Sequence, residues 1–159
     1  MVKLNLGCGN TSKEGYINVD RVLNKTVDKI VDLNITPYPW KDNSIEEINI
    51  DQVVEHITLP IDVFLFECYR ILKPNGVMHL STPNFYHWKN RLAILFRNSS
   101  IDAYHPYHVK MILPDELLQR MYKMGFDTHL VITGRARTLK WFLPDLLISN
   151  IIIEARKRP

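Results

Sequence analysis

Short apolar runs bounded by turn residues alternate along this chain with stretches whose apolar positions recur every three or four residues. Residues 2–6, 16–20, 28–32 and 46–51 are four such runs and read as strands. The third, around Val27–Asp32, is β-branched and short, the composition of a parallel strand buried on both faces. Pro60 then opens a helix with an apolar face of Val63, Phe64, Phe66, Cys68, Ile71 and Leu72. Proline is tolerated in a first helical turn, and the spacing of that face is helical. Asn75-Gly76 ends the helix, and Val77–Ser81 is a fifth strand. A second helix runs from Pro114 to about Lys123, with Gly125 as its stop signal. Residues 128–135 and 149–156 read as two final strands, paired antiparallel. Strands alternating with helices predict an α/β fold with a doubly wound, mostly parallel sheet of seven strands and an antiparallel last strand.

Chemistry concentrates at the start. The first strand runs into the turn Gly7-Cys8-Gly9-Asn10, and the second ends at Asp20. A glycine turn lets backbone approach a ligand closely, because no Cβ intrudes. A carboxylate ending the next strand can accept two hydrogen bonds from a ribose diol. The third glycine of the dinucleotide fingerprint is absent, and Asp20 follows Gly9 by eleven residues, against about twenty in that pattern. No full helix fits between them to seat a pyrophosphate. The pattern therefore points to a nucleoside cofactor other than a dinucleotide.

Leu4-Asn-Leu-Gly-Cys-Gly9 and Asn18-Val-Asp20 are followed in order by Val31-Asp-Leu33, Trp40–Ile48, Asp51–Ile57, Glu67–Val77 and His108–Gly125. Together these stretches resemble the motifs of the class I S-adenosylmethionine-dependent methyltransferases, in particular small, single-domain, type 11-like members. The resemblance implies a Rossmann-like sheet and S-adenosylmethionine as cofactor. It implies that Gly7, Cys8, Gly9 and Asn10 cradle the cofactor, Cys8 as a small side chain and not as a nucleophile. Asp20 would meet the ribose with Arg21 beside it as a further cofactor contact, Asp32 and the Leu33 amide the adenine, and Asp51 and Gln52 the methionine end. His56 would lie near the methyl group, either as a base for an acceptor hydroxyl or as a structural histidine. No metal is expected.

Members of that family usually carry helices before the first strand; here it begins at residue 2 or 3, without those cap helices. The helix after the glycine turn is cut to a loop, Asn10–Gly15. The substrate site is then open, or completed by another subunit. Residues 83–113 form a compensating insertion, a lid or a helix packed across the sheet end, with Tyr86, His87, Tyr104, His105 and His108 as candidate substrate contacts. An amphipathic membrane-surface helix, with Trp88, Leu92, Leu95 and Phe96 on one face, is a third reading of the insertion.

A chain of 159 residues fits one domain of about 100–200 residues. No run of apolar residues is long enough for a transmembrane helix, and no leader precedes the first strand. Cys8 and Cys68 suggest no disulfide framework, so cytoplasm is the expected compartment. Residues 1–80 carry eight basic and eleven acidic side chains, the remainder twelve and six. The basic half, with Arg135, Arg137, Lys140 and the tail Arg156-Lys157-Arg158, is a solvated face or an attractor for an anionic acceptor. The apolar run 139–153 is core or a homodimer surface.

The expected activity is methyl transfer to an oxygen or nitrogen of a small acceptor: a sugar or cell-envelope intermediate, a lipid, or a metabolite. A non-catalytic, cofactor-binding accessory subunit is the alternative from another class. A nucleic-acid methyltransferase is disfavoured: Thr82-Pro-Asn-Phe-Tyr86 is ordered differently from the Asn-Pro-Pro-Tyr type of motif and follows the wrong strand.

Overall fold

Side chains alternate across a strand, and in this sequence the alternation makes two unlike sheet faces. The computed structural model describes residues 1–84, 87, 92, 113–131 and 150–159. Within them lie strands β1 (Lys3–Leu6), β2 (Ile17–Asp20), β3 (Lys29–Ile30), β4 (Ile45–Asp51), β5 (Leu72–Pro83), β6 (Phe126–Val131) and β7 (Asn150–Lys157). The helices are α1 (Ile61–Ile71) and α2 (Pro114–Met124), and a 3-10 turn spans Val54–His56. The sheet order is β3-β2-β1-β4-β5-β7-β6. Neighbours from β3 to β5 are parallel, and β7 runs antiparallel to both β5 and β6. This is the expected Rossmann-like α/β sheet with its antiparallel last strand.

One face carries Leu4, Leu6, Ile48, Ile50, Met78, Leu80, Ile153 and Ala155, all essentially inaccessible. The same core cluster takes in Phe64, Leu65, Cys68 and Ile71 of α1 and Leu117 and Met121 of α2. Both helices therefore pack on this apolar face. The opposite face is polar. A row in register crosses six strands: Asn18, Asn5, Asn49, His79, Glu154 and His129. Asn49 Nδ2 donates to Asn5 Oδ1 at 2.8 Å, and Asn5 Nδ2 donates to Asn18 Oδ1 at 2.9 Å. Lys13, from the loop after the glycine turn, donates to Asn49 Oδ1 at 2.7 Å. That loop thus closes over the amide ladder where the sequence leaves no room for a helix.

Several boundaries differ from the sequence reading. β3 is two residues long and forms the sheet edge, with Ile30 56 % exposed, so it is not a strand buried on both faces. The helical face of α1 is Phe64, Leu65, Glu67, Cys68 and Ile71. Val63 and Phe66 point to solvent, and Leu72 already belongs to β5. Asn75, at φ 64°, lies within β5 and does not terminate the helix. The last pair starts at Phe126 and ends at Lys157, and it is antiparallel as expected. Lys157 ties that end to the body: its buried ammonium donates to the carbonyls of Tyr69 and Leu72 and to Asn43 Oδ1 at 2.7–2.8 Å.

Candidate active site

The glycine turn is set by a close approach. Gly7 has φ +67°, and a Cβ there would lie 2.5 Å from Val53 Cγ2. The chain leaving β1 is thus pressed against the chain leaving β4, with room for no side chain. These two strands flank the point where the sheet order reverses, the place where open α/β sheets bind ligands. Asp20, ending β2, faces the turn. Its Oδ2 accepts the Gly9 N–H at 2.9 Å, and its Oδ1 accepts the Val22 N–H at 3.2 Å. A carboxylate offers about four lone-pair sites. Asp20 is therefore already oriented and keeps acceptor capacity for a diol.

Beyond these strand ends lies a cleft of about 380 Å³, lined by Gly7, Asp20, Arg21, Asp32, Leu33, Gln52 and His56. All seven are residues singled out in the sequence. Its volume falls in the range of about 300–1,000 Å³ usual for small-molecule sites. Cys8, Gly9, Asn10 and Asp51 lie outside this lining. Burial, and then the charge of Asp20, pushes the Cys8 thiol up, which favours the thiol over the thiolate. Asp51 is engaged across the strand ends: the Ser81 hydroxyl donates to its Oδ1, while Gln52 Nε2 donates to Ser81 Oγ at 3.1 Å.

The sequence reading missed Val31, Asn34, Val53, Ile57 and Thr58, which complete the lining. Asn34 joins the two walls. Its N–H donates to Asp32 Oδ1 at 2.9 Å, and its Oδ1 accepts from the Thr58 N–H and hydroxyl at 2.7 and 2.8 Å. The available signal was the spacing Asp32-Leu-Asn34, a turn that side chains bridge. Glu55 and His56, adjacent in sequence, part company in space. His56 is exposed in the cleft wall, whereas Glu55 is 1 % exposed. The Thr82 hydroxyl donates to Glu55 Oε2 at 3.3 Å, and Oε1 has no partner among the described residues. Burial raises the Glu55 carboxyl above its ordinary value of 4.5.

Of the predicted substrate contacts, Tyr86, Tyr104, His105 and His108 lie outside the described residues, as does most of the 83–113 insertion. His87 is half-buried, and its N–H donates to the Asn84 carbonyl at 3.2 Å. Arg135, Arg137 and Lys140 also lie outside the described residues. The basic tail is used structurally: Lys157 turns inward, Arg158 pairs with Asp127 at 2.8 Å, and Arg156 donates to the Asn75 carbonyl. Residues 139–149 of the apolar run are not described; Ile151 and Ile153 beyond them are core. Among the described residues no group of three or more His, Cys, Asp or Glu could hold a metal ion. Among them, too, no helix is long and apolar enough to cross a membrane.

The sequence model of a family described as "Methyltransferase domain" matches residues 10–80, the stretch that carries Asp20, Asp32, Gln52 and His56. Over that stretch the chain is similar to S-adenosylmethionine-dependent methyltransferases. The glycine turn, strand-end carboxylates and cleft volume suit the S-adenosylmethionine for which these relatives are named. A probable S-adenosylmethionine-dependent methyltransferase of Mycolicibacterium smegmatis is 30% identical over 96 residues, 60% of this chain and 34% of that protein. A ubiquinone biosynthesis O-methyltransferase of Bradyrhizobium diazoefficiens is 31% identical over 114 residues, 65% of this chain and 43% of its own length. The matched stretch is thus a third to less than half of the length of these curated relatives. The crystal structure of a SAM dependent methyltransferase from Archaeoglobus fulgidus superposes with a TM-score of 0.71. It is 17% identical and covers 98% of this chain and 85% of that one, a likeness of fold.

Proposed function

We propose that this chain transfers a methyl group from S-adenosylmethionine to an oxygen or nitrogen of a small acceptor. The observation that carries this reading is the convergence of Asp20, Asp32, Gln52 and His56 on one cleft beyond the strand ends. When bound, S-adenosylmethionine would supply an activated methyl group: an acceptor lone pair would form the new bond to that carbon as its bond to sulfur breaks, with the neutral thioether S-adenosylhomocysteine as leaving group. Asp20 fixes the ribose through the lone pairs that Gly9 and Val22 leave available. Asp32 and the Leu33 amide address the adenine edge, held by the Asn34 bridge. Asp51 and Gln52, linked through Ser81, stand at the β4 end to take the ammonium of the methionine moiety. His56 receives the proton that an acceptor hydroxyl releases as the new bond to carbon forms. Much of the remaining task is alignment, since displacement at a sulfonium is intrinsically favourable. The name of the Bradyrhizobium relative supports an oxygen acceptor.

The test is incorporation of labelled methyl from S-adenosylmethionine into pooled small-molecule acceptors, with wild type and His56→Ala. Wild type should label a hydroxylated or amino acceptor, and His56→Ala should lower kcat on a hydroxyl by about a hundredfold. No labelling by a wild type that binds cofactor would favour the second reading, an accessory subunit whose site a partner completes. One observation supports that second reading: the glycine turn beside the cleft runs into a loop over residues 10–16 and not into a helix.

A further inference from the structure

The glycine turn has lost the helix that would ordinarily follow it, yet both polar groups of Gly9 are held. Its N–H goes to Asp20. Its carbonyl accepts from Asn24 Nδ2 at 2.9 Å and lies 2.7 Å from the Thr26 hydroxyl, whose single proton it shares with Asn24 Oδ1 at 2.5 Å. Both donors come from the segment joining β2 to β3, which lines no part of the cleft except through Arg21 at its start. Asn24 is itself oriented. Its Oδ1 accepts the Thr26 N–H at 2.8 Å, so its amide nitrogen must face Gly9. Thr11 N–H donates to the Cys8 carbonyl at 2.9 Å, closing the turn from within.

Where a turn leads into a helix, the carbonyl of the capping residue accepts the first backbone hydrogen bond of that helix. Residues 10–16 form no helix here, and two side chains take that place. Gly9 is exposed, so water could satisfy its carbonyl equally well. What Asn24 and Thr26 add is position. Gly9 has φ +53°, and nothing lies within 4 Å of where its Cβ would be. Packing therefore does not confine this residue; only its hydrogen bonds do. The N–H that meets Asp20 lies in the peptide on the other side of the Gly9 Cα, so holding the carbonyl acts on it by fixing the φ and ψ of a glycine that no neighbouring atom confines.

We propose that Asn24 and Thr26 are positioning residues for the cofactor, clamping the Gly9 peptide and, through it, Asp20, in place of the missing helix. This inference rests on the cofactor assignment above. Because the clamp sits at a solvated peptide, it sets affinity more than stability. A residue with only a structural role would move the two together.

The experiment is calorimetric titration of S-adenosylhomocysteine into wild type, Asn24→Ala, Thr26→Val and Thr26→Ser, with the Tm of each protein measured without ligand. Each lost hydrogen bond should weaken binding by about five- to tenfold. Thr26→Ser, which keeps the hydroxyl, should bind within about twofold of wild type. The Tm of all four should agree within about 2–3 °C. Wild-type affinity in Asn24→Ala and Thr26→Val would overturn the proposal while leaving the cofactor assignment intact. So would losses matched by a falling Tm, or a Thr26→Ser variant as weak as Thr26→Val. A folded wild type that binds no S-adenosylhomocysteine would overturn both.

Discussion

Glu55 sits in the core beside the cleft with one carboxyl oxygen unsatisfied among the described residues, while its neighbour His56 faces solvent. Burying a carboxylate without partners is costly, so the neutral acid is favoured. The linkage has a definite sign. Because the folded-state value lies above the ordinary 4.5, the native protein retains a proton that the unfolded chain would release. Its stability therefore falls as pH rises from 4.5 toward the folded-state value. Glu55→Gln keeps the shape and cannot ionise. Thermal denaturation should place the Tm of Glu55→Gln about 3 °C above wild type near neutral pH, with the gain vanishing below 4.5. An unchanged difference across that range would show that Glu55 is not held neutral. Such a residue was legible only in part. The sequence marks Glu55-His56 as a pair, but a pair of adjacent polar residues does not reveal which one turns inward.

Among the elements, α1 shows how far apolar spacing carries. Val63 and Phe66 belong to the expected face yet are exposed, while Glu67 is buried. The reason is electrostatic. Glu67 accepts the Tyr38 N–H at 2.6 Å and two hydrogen bonds from Arg70, which also reaches the Tyr38 and Trp40 carbonyls and Asp42. This network holds the connection between β3 and β4 against the helix. Hydrogen bonds from Arg70 lower the Glu67 carboxyl, so its contribution is present above 4.5 and is lost as pH falls below it. Arg70→Ala would strand a buried carboxylate and should cost about 3 kcal/mol in urea denaturation at neutral pH. Glu67→Gln combined with Arg70→Ala should recover part of that loss. If Arg70→Ala costs less than about 0.5 kcal/mol, the pair behaves as a surface ion pair. Edge position was equally hidden. A β-branched run such as Val27–Asp32 has the composition of a strand, but composition does not say that β3 will sit outermost in the sheet.

At the scale of the molecule, the sequence already contained the order of the site along the chain: glycine turn, Asp20, Asp32, then Gln52 and His56. Parallel strands bring those positions to one end of the sheet, because each lies just past a strand's carboxyl end. The polar face was legible only once register was known. Asn5, Asn18 and Asn49 look like isolated polar residues within strands, and pairing turns them into a ladder under Lys13. The missing helix after the glycine turn is readable as a short spacing. Its replacement by Asn24 and Thr26 is not, since it depends on a contact across 15 and 17 residues.

The central claim is that Asp20 and the glycine turn hold S-adenosylmethionine. Its most direct test is calorimetric titration of S-adenosylmethionine into wild type and Asp20→Ala. Saturable one-to-one binding by wild type is expected, weakened at least about thirtyfold in a variant of unchanged fold, as the loss of charge-assisted hydrogen bonds requires. A folded wild type that gives no binding heat, or an Asp20→Ala variant that binds as well as wild type, would contradict it.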